Sequence, residues 1–392
     1  MMKKSLKIVF SLLLVLSMIL AGCGGGETSS GGSSDGEATK ITIYTVAGGD
    51  EYYNDLLIPM FEKETGGKYE IEYGRGTPQE IINKIKAQGK NGNIDLVITG
   101  LDGLPLGIEA GLWEQVIPTY EEELHVAQWN DIAKEYIEKF DGYGVPTVTG
   151  PGGPILVYNE DKVKNPPTTY AELKTWIEEN PGKFTYPAVP SSGPARGFFL
   201  GLAQAMGEDI NDPKSLDKTW TYLEEIGETI DNYPAKTSDS FNALYDGAVD
   251  IIPHFPLWFG NLQVQGTVPP NIKAVKLTDT TQIVDSQFLV MLKDLPEDRK
   301  KAALEFMEFA TSKEAQAQGL SVGFSPANTE ATADLLSPEN KENYDKLAEV
   351  VLPEFKNGET IGLKEGDWSL FPSLEATTEH YKNWEEKIQA KK

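Results

Sequence analysis

Between residues 41 and 99 the chain alternates strand and helix signals, and that alternation restricts its fold more than any other feature. Residues 41–46 (ITIYTV) form a β-branched and aromatic run ended by Gly48 and Gly49, the signature of a strand. A helix is predicted over 52–64, stopped by Gly66 and Gly67, and residues 69–73 give a second strand. Thr77-Pro78-Gln79-Glu80 combines a capping box with proline at the first helical position, and Gly89 closes that helix. Residues 94–99 form a third strand, apolar enough near its end to be buried on both faces. Strands joined through helices make a parallel α/β sheet. Ligands of such sheets gather beyond the carboxyl ends of the strands, which here means the loops 47–53 and 100–103.

The same grammar returns further on. Residues 141–154 (DGYGVPTVTGPGGP) are rich in glycine and proline and run into a strand at 155–158, so the chain is expected to enter a second lobe near Gly153. A second capping box, Thr169-Tyr170-Ala171-Glu172, opens a helix with Leu173, Trp176 and Ile177 on its apolar face. Residues 184–189 restart an α/β pattern, followed by helices over 195–206, 220–230 and 239–245 and a strand at 249–252. Residues 282–292 (QIVDSQFLVML) form a strand long enough to return to the first lobe. Pro296 opens a further helix, and Thr311-Ser312-Lys313-Glu314 caps a short one ending at Gly319. The expected limits are 40–153 with 278–325 for lobe one, and 154–277 with 326–392 for lobe two.

The start of the chain says where this body works. Lys3, Lys4 and Lys7 precede an apolar run over 8–20 that is too short for a permanent membrane helix. Ala21 and Gly22 then meet Cys23, the one cysteine of the sequence, in the pattern of a bacterial lipoprotein signal. The rule for such signals implies cleavage after residue 22 and a diacylglycerol on the Cys23 thiol, a thioether that only cysteine can form. Two acyl chains are also what stable anchoring needs. Residues 24–39 (GGGETSSGGSSDGEAT) are a flexible Gly/Ser tether, so 23–39 reads as an anchor and spacer on the outer face of the cytoplasmic membrane. The formal charge is −25, and −28 without the three leader lysines. Nucleic-acid binding is therefore excluded, because phosphate contacts need clustered Lys and Arg. No disulfide is available, so an apolar core must hold the fold. His125, His254 and His380 lie far apart without ligand spacing, and no metal or other cofactor is expected.

Three segments, taken in order, resemble the extracellular solute-binding proteins of ABC importers, the family that includes maltose- and other sugar-binding proteins. Residues 155–176 (ILVYNEDKVKNPPTTYAELKTW) are similar to the family's crossover pattern, in which "YN-D" precedes "PP-T-EL". Residues 241–258 (FNALYDGAVDIIPHFPLW) are similar to its "F--GKAAM---G-W" segment. Ala303, Phe306, Phe309, Ser312, Glu314-Ala315-Gln316, Gly323 and Pro326-Ala327 match "A--F--F--S-EAQ" followed by "G--PA". His254, Phe255 and Pro256 depart from the sugar binders, which have glycine before the tryptophan. Residues 183–199 look closer to the putrescine/thiamine-type and YnjB-like branch. The resemblance implies an α/β, two-lobed fold of the periplasmic-binding-protein type II. It implies a monomer that closes on a small solute by a hinge and is read by an ABC permease with its ATPase. The solute expected first is a sugar or oligosaccharide, then a polyamine- or thiamine-type amine, then an anion. A surface lipoprotein hydrolase of glycans is the alternative, since the separation of two carboxylates is a property of the fold. No P-loop, G-x-S-x-G or H-E-x-x-H motif is present.

Candidate ligand contacts follow from chemistry and position. Ser191, Ser192 and Arg196 stand at a helix start, where hydroxyls, N–H groups and a guanidinium can hold an anion or sugar hydroxyls; the alternative is a plain N-cap. Trp258 can stack on a sugar ring or hold an amine, whereas Phe259 reads more readily as core. Glu51 and Tyr52 follow the first strand and Asp102 the third, where a carboxylate can take an amine or a hydroxyl. Tyr143 and Asp285 lie on the approach to, and return from, the second lobe, with packing at the hinge as the alternative. The acid runs 121–123 and 385–386 read as solvated faces.

Overall fold

The computed structural model describes residues 38–392 except 358, 359 and 365. Cys23, the leader and most of the tether lie outside the described residues. The tether's limit at 39 is corrected, because Thr39 already pairs with Tyr69.

The first part of the chain forms β1 (Thr39–Thr45), α1 (Asp50–Tyr52), α2 (Ile58–Glu64), β2 (Tyr69–Arg75), α3 (Pro78–Gln88) and β3 (Leu96–Thr99). A π turn, Tyr53–Leu57, joins α1 to α2 in one helical run. The capping box closes as expected: Glu80 N donates to Thr77 Oγ1 at 3.3 Å, and Thr77 N to Glu80 Oε2 at 2.8 Å. α4 (Gly103–Glu109), α5 (Asp131–Lys139) and β4 (Val145–Pro151) follow. β4 hides in the Gly/Pro-rich stretch. Its prolines are tolerated because its one strand partner is the returning strand, with a single bridge from Val148 to Pro326 on the other side, and its register shifts between Pro146 and Val148.

The chain then builds β5 (Ile155–Asn159), α6 (Tyr170–Glu179), α7 (Gly193–Ala205), α8 (Asp217–Gly227), α9 (Thr237–Tyr245), β6 (Ile251–His254), α10 (Pro256–Val264) and β7 (Ile272–Lys276). It returns through β8 (Gln282–Met291), α11 (Glu297–Thr311) and α12 (Lys313–Gly319). The tail carries α13 (Pro338–Val350), the short strands β9 (Lys356–Asn357), β10 (Thr360–Ile361) and β11 (Trp368–Ser369), and α14 (Leu374–Lys387).

Two main sheets result. One has the order β11-β8-β3-β1-β2, with β4 also on β8; the other has the order β6-β5-β7. In the first, β1 is parallel to β2 and β3, while β8 runs antiparallel to β3 and β4. The second sheet is antiparallel throughout, so the α/β pattern expected at 184–189 is corrected. Phe184 makes a single bridge to Ile251 and no strand.

The chain leaves the first sheet at Pro151 and enters the second at Ile155, and the return passes from Lys276 to Gln282. The two crossings are bonded to each other: Gly152 N donates to Ile283 O at 2.7 Å and Ile283 N to Gly153 O at 2.8 Å. α7 lies against this hinge through glycines four residues apart. A Cβ on Gly197 would stand 2.3 Å from Gly152 O, and one on Gly201 2.8 Å from the Pro154 ring.

The tail does not belong wholly to lobe two, as expected from the sequence. Trp368 pairs with Gln282 in the first sheet, and Lys139 Nζ and the Tyr136 hydroxyl bond the backbone of Phe371. Polar anchors at Tyr136 and Lys139 draw this segment back. One large apolar core runs through both lobes, joining Leu104, Tyr136 and Phe288 to Tyr170, Phe198, Trp220 and Trp384. Within lobe one, Asp95 is buried and clamped by Arg299, whose Nε donates at 2.6 Å and whose other nitrogens bond Gly92 O and Ile94 O.

Candidate ligand-binding cleft

A cavity of about 510 Å³ opens between the lobes, next to the crossings. Lobe one supplies the loop after β1, the end of β2, and the middle of β4 and β8. Lobe two supplies the first turns of α7, α9 and α10, and residues 322–325 after α12 complete the wall.

The β1 loop enters the helical run at Gly49, whose φ of 103° admits only glycine comfortably. The run turns Glu51 outward, where it lines the cavity, and Tyr52 inward. Tyr52 is therefore corrected from ligand contact to core: it is 1% exposed, its hydroxyl meets Ala315 O at 3.3 Å, and burial raises its pKa. Its neighbour Asp50 is spoken for by an ion pair with Arg75 and a 3.0 Å hydrogen bond from Tyr73. Glu51 forms no hydrogen bond or ion pair among the described residues and is exposed.

After Gln282, β8 is apolar except at Asp285-Ser286-Gln287, where alternation puts Asp285 and Gln287 on the cavity side. Asp285 Oδ1 accepts from Ser286 N at 3.0 Å. Burial pushes its carboxyl up to about 6; Arg196 opposes this and Asp102 adds to it. Gln287 Nε2 donates to Gly48 O at 3.1 Å, which ties β8 to the β1 loop. Gln287 Oε1 and Ser325 Oγ are buried in the wall without a hydrogen-bond partner among the described residues.

From lobe two, Arg196 projects from the second turn of α7 and lines the cavity, donating to Pro190 O at 3.4 Å. Burial works against its charge, but Tyr381, Asp102 and Asp285 outweigh that and hold it protonated. Trp258, in the first turn of α10, is 47% exposed, an unusual state for an indole beside a cavity. It rests against His254 and Phe255, with ring centroids 5.4 and 6.5 Å away. His254 is buried; its Nδ1–H donates to Phe255 O at 3.1 Å, and burial lowers its pKa to about 4, so it is a neutral support. Phe259 is core, at 3% exposed.

Several expected contacts do not reach the wall. Ser192 caps α7 and bonds Thr237 Oγ1 at 2.8 Å, so it positions a lining residue while staying buried itself. Ser191 turns away to Ala188 O and Ala235 O. Asp102 caps α4 through Gly103 N at 2.8 Å and acts on the cavity only as a charge behind Arg196 and Asp285. Tyr143 packs against the large core. Sequence reasoning missed Arg75, Asn261, Gln287, Phe324 and Ser325. For Gln287 a signal existed, the polar Asp-Ser-Gln interrupting an apolar strand; for the others it did not. Among the described residues no group of His, Cys, Asp and Glu gathers that could hold a metal.

Comparison with known proteins agrees with this architecture. A maltooligosaccharide ABC transporter solute-binding lipoprotein of Streptococcus pneumoniae (strain ATCC BAA-255 / R6) is 25% identical over 179 residues, 44% of this chain and 39% of the relative. The chain thus matches well under half the length of that curated relative. An ABC transporter from Clostridium perfringens ATCC 13124 superposes with a TM-score of 0.67 at 18% identity, covering 89% of this chain and 99% of that one. The spermidine/putrescine substrate-binding protein PotD from Streptococcus pneumoniae strain Canada MDR_19A gives a TM-score of 0.64 at 20% identity, over 90% of this chain and 99% of that one. These structures share the type II periplasmic-binding-protein fold. The family model described as bacterial extracellular solute-binding protein matches residues 57–348, most of the chain, and the chain belongs to that family.

Proposed function

We propose that this chain is the receptor of an ABC importer, held to the outer face of the cytoplasmic membrane by a lipid on Cys23. It captures a small polar solute between its lobes, closes about the crossings at 152–154 and 277–281, and presents the closed form to a permease driven by a cytoplasmic ATPase. It works as a monomer and performs no chemistry. The observation that carries this reading is the cavity itself: about 510 Å³, walled by both lobes, with Trp258 held 47% exposed against a rigid aromatic support. A cavity of that size, apolar in part and set with a few polar groups, suits one small solute. The lipoprotein relative from Streptococcus supports the importer role and the anchor.

A sugar ring on the face of Trp258 is supported by that indole and by the relative's maltooligosaccharide. A charged solute is supported by Glu51, Asp285 and Arg196 in the walls. The test is thermal unfolding of the purified chain against sugars, polyamines, amino acids and oxyanions. A ligand at about 100 times its Kd stabilises by about 2.7 kcal/mol. A saturable shift without consumption of the compound, lost in Trp258→Ala, is the expected result. Consumption of a glycan would return the hydrolase reading.

A further inference from the structure

The ionisable groups of the cavity are sorted by lobe. Asp50 and Arg75 neutralise each other in an ion pair. The remaining acids, Glu51 on α1 and Asp285 on β8, come from lobe one, and the remaining cation, Arg196 on α7, comes from lobe two. No ion pair within 4.0 Å engages Glu51, Asp285 or Arg196 among the described residues. Arg196 donates to the backbone carbonyl of Pro190 and lies beside the Tyr381 hydroxyl, neither of which carries a full opposite charge. An apolar patch of Trp258, Phe255 and Phe324 shares the same cavity.

Closure removes water from all of these groups, and a charge taken out of water must be paired or pay heavily. A neutral sugar offers none of the three charges a partner of opposite sign, and leaves Asp285 and Arg196 to each other across more than 4.0 Å. A diamine satisfies the acids but sets a second cation beside Arg196. A plain anion satisfies Arg196 but faces Glu51 and Asp285, with Asp102 behind them. Only a solute carrying both signs matches both walls. A carboxylate or phosphoryl group also fits the bidentate geometry of a guanidinium. The first turn of α7, which supplies Gly193 and Pro194 to the wall, adds the positive end of a helix.

We propose that the cleft selects an amphoteric solute, one that offers an ammonium group to Glu51 and Asp285 and a carboxylate or phosphoryl group to Arg196, with its apolar part on Trp258. This deepens the receptor reading and rests on it. The bound solute spans the lobes as a dipole, so its two ends supply the closing force that neither wall supplies alone.

The test uses the full chain in detergent micelles and isothermal titration at neutral pH. The amphoteric probes are the common amino acids, 3-aminopropanoate to 6-aminohexanoate, and phosphoethanolamine. The single-ended controls are the matched alkylamines and alkanoates, ethyl phosphate, putrescine and maltose. At least one amphoteric probe is expected to bind ten or more times more tightly than both of its single-ended counterparts. Glu51→Gln and Arg196→Gln should each weaken it at least tenfold, and Arg196→Lys should restore part of the loss. The Glu51 side chain is exposed and has no hydrogen bond or ion pair among the described residues, so its variant reports on binding even if an Arg196 variant folds poorly. Binding of maltose or putrescine as tight as any amphoteric probe overturns the proposal while leaving the receptor reading intact. Binding of none of the probes overturns both.

Discussion

Replacing Asp285 with asparagine should stabilise the solute-free protein at neutral pH, although it removes a charge facing Arg196. The carboxyl is raised from its ordinary 3.8 to about 6, chiefly by burial. Between those two values the folded chain holds a proton that the unfolded chain has already lost, so stability falls as pH rises through that window. Above it the full penalty of an ionised, poorly solvated carboxylate is present. Each pH unit of displacement is worth about 1.4 kcal/mol. The whole interval would amount to ~3 kcal/mol, which solvent in the cavity reduces to about 1–3 kcal/mol. Asparagine keeps the shape and the acceptor for Ser286 N but cannot ionise. With about 1–2 °C per kcal/mol for a body of this size, the variant should melt about 1–6 °C higher at pH 7.5. Near pH 4 the two proteins should melt together. Thermal unfolding of both at the two pH values measures this directly. A variant that is less stable at pH 7.5, or a difference that does not change with pH, would refute the reasoning. The same substitution should weaken solute binding, a trade of stability for function.

Two further substitutions probe the frame around the cleft. Gly197→Ala puts a Cβ 2.3 Å from Gly152 O at the lobe crossing; it should cost about 1–3 kcal/mol in urea unfolding by overpacking and move Arg196 next to it. Unchanged stability would mean that α7 does not approach the crossing so closely. Arg299→Met leaves the buried Asp95 carboxylate, now bonded at 2.6 Å, without its cation. It should cost about 3–5 kcal/mol by the same assay, and a loss under ~1 kcal/mol would place Asp95 in contact with water.

What could be read from the sequence divides along physical lines. Local signals were legible: the Thr77 capping box, the helix after Thr169, the crossing near Gly153 and the return on β8 all depend on residues close in sequence. β4 was not, because Pro146, Gly150 and Pro151 argue against a strand and only pairing with β8 makes one. The course of the tail was not legible either, since it depends on the distant anchors Tyr136 and Lys139. Of the residues singled out in the sequence, Glu51, Arg196, Trp258 and Asp285 line the cavity, where chemistry and position coincide. Tyr52 failed on helical phase, one residue from Glu51, and Ser192 failed because its hydroxyl serves the cap of α7. Arg75, Phe324 and Ser325 reach the wall only through tertiary folding. The need for glycine at 197 and 201 appears only when the crossing lies against them.

The central claim is that a solute is captured between two lobes that close on it. Small-angle X-ray scattering of the protein, free and saturated with whichever compound raises its melting temperature, tests that most directly. The radius of gyration should fall on saturation in the native chain, and in Trp258→Ala the fall should require a much higher solute concentration. A compound that binds and stabilises the native chain while leaving its scattering unchanged would contradict the account.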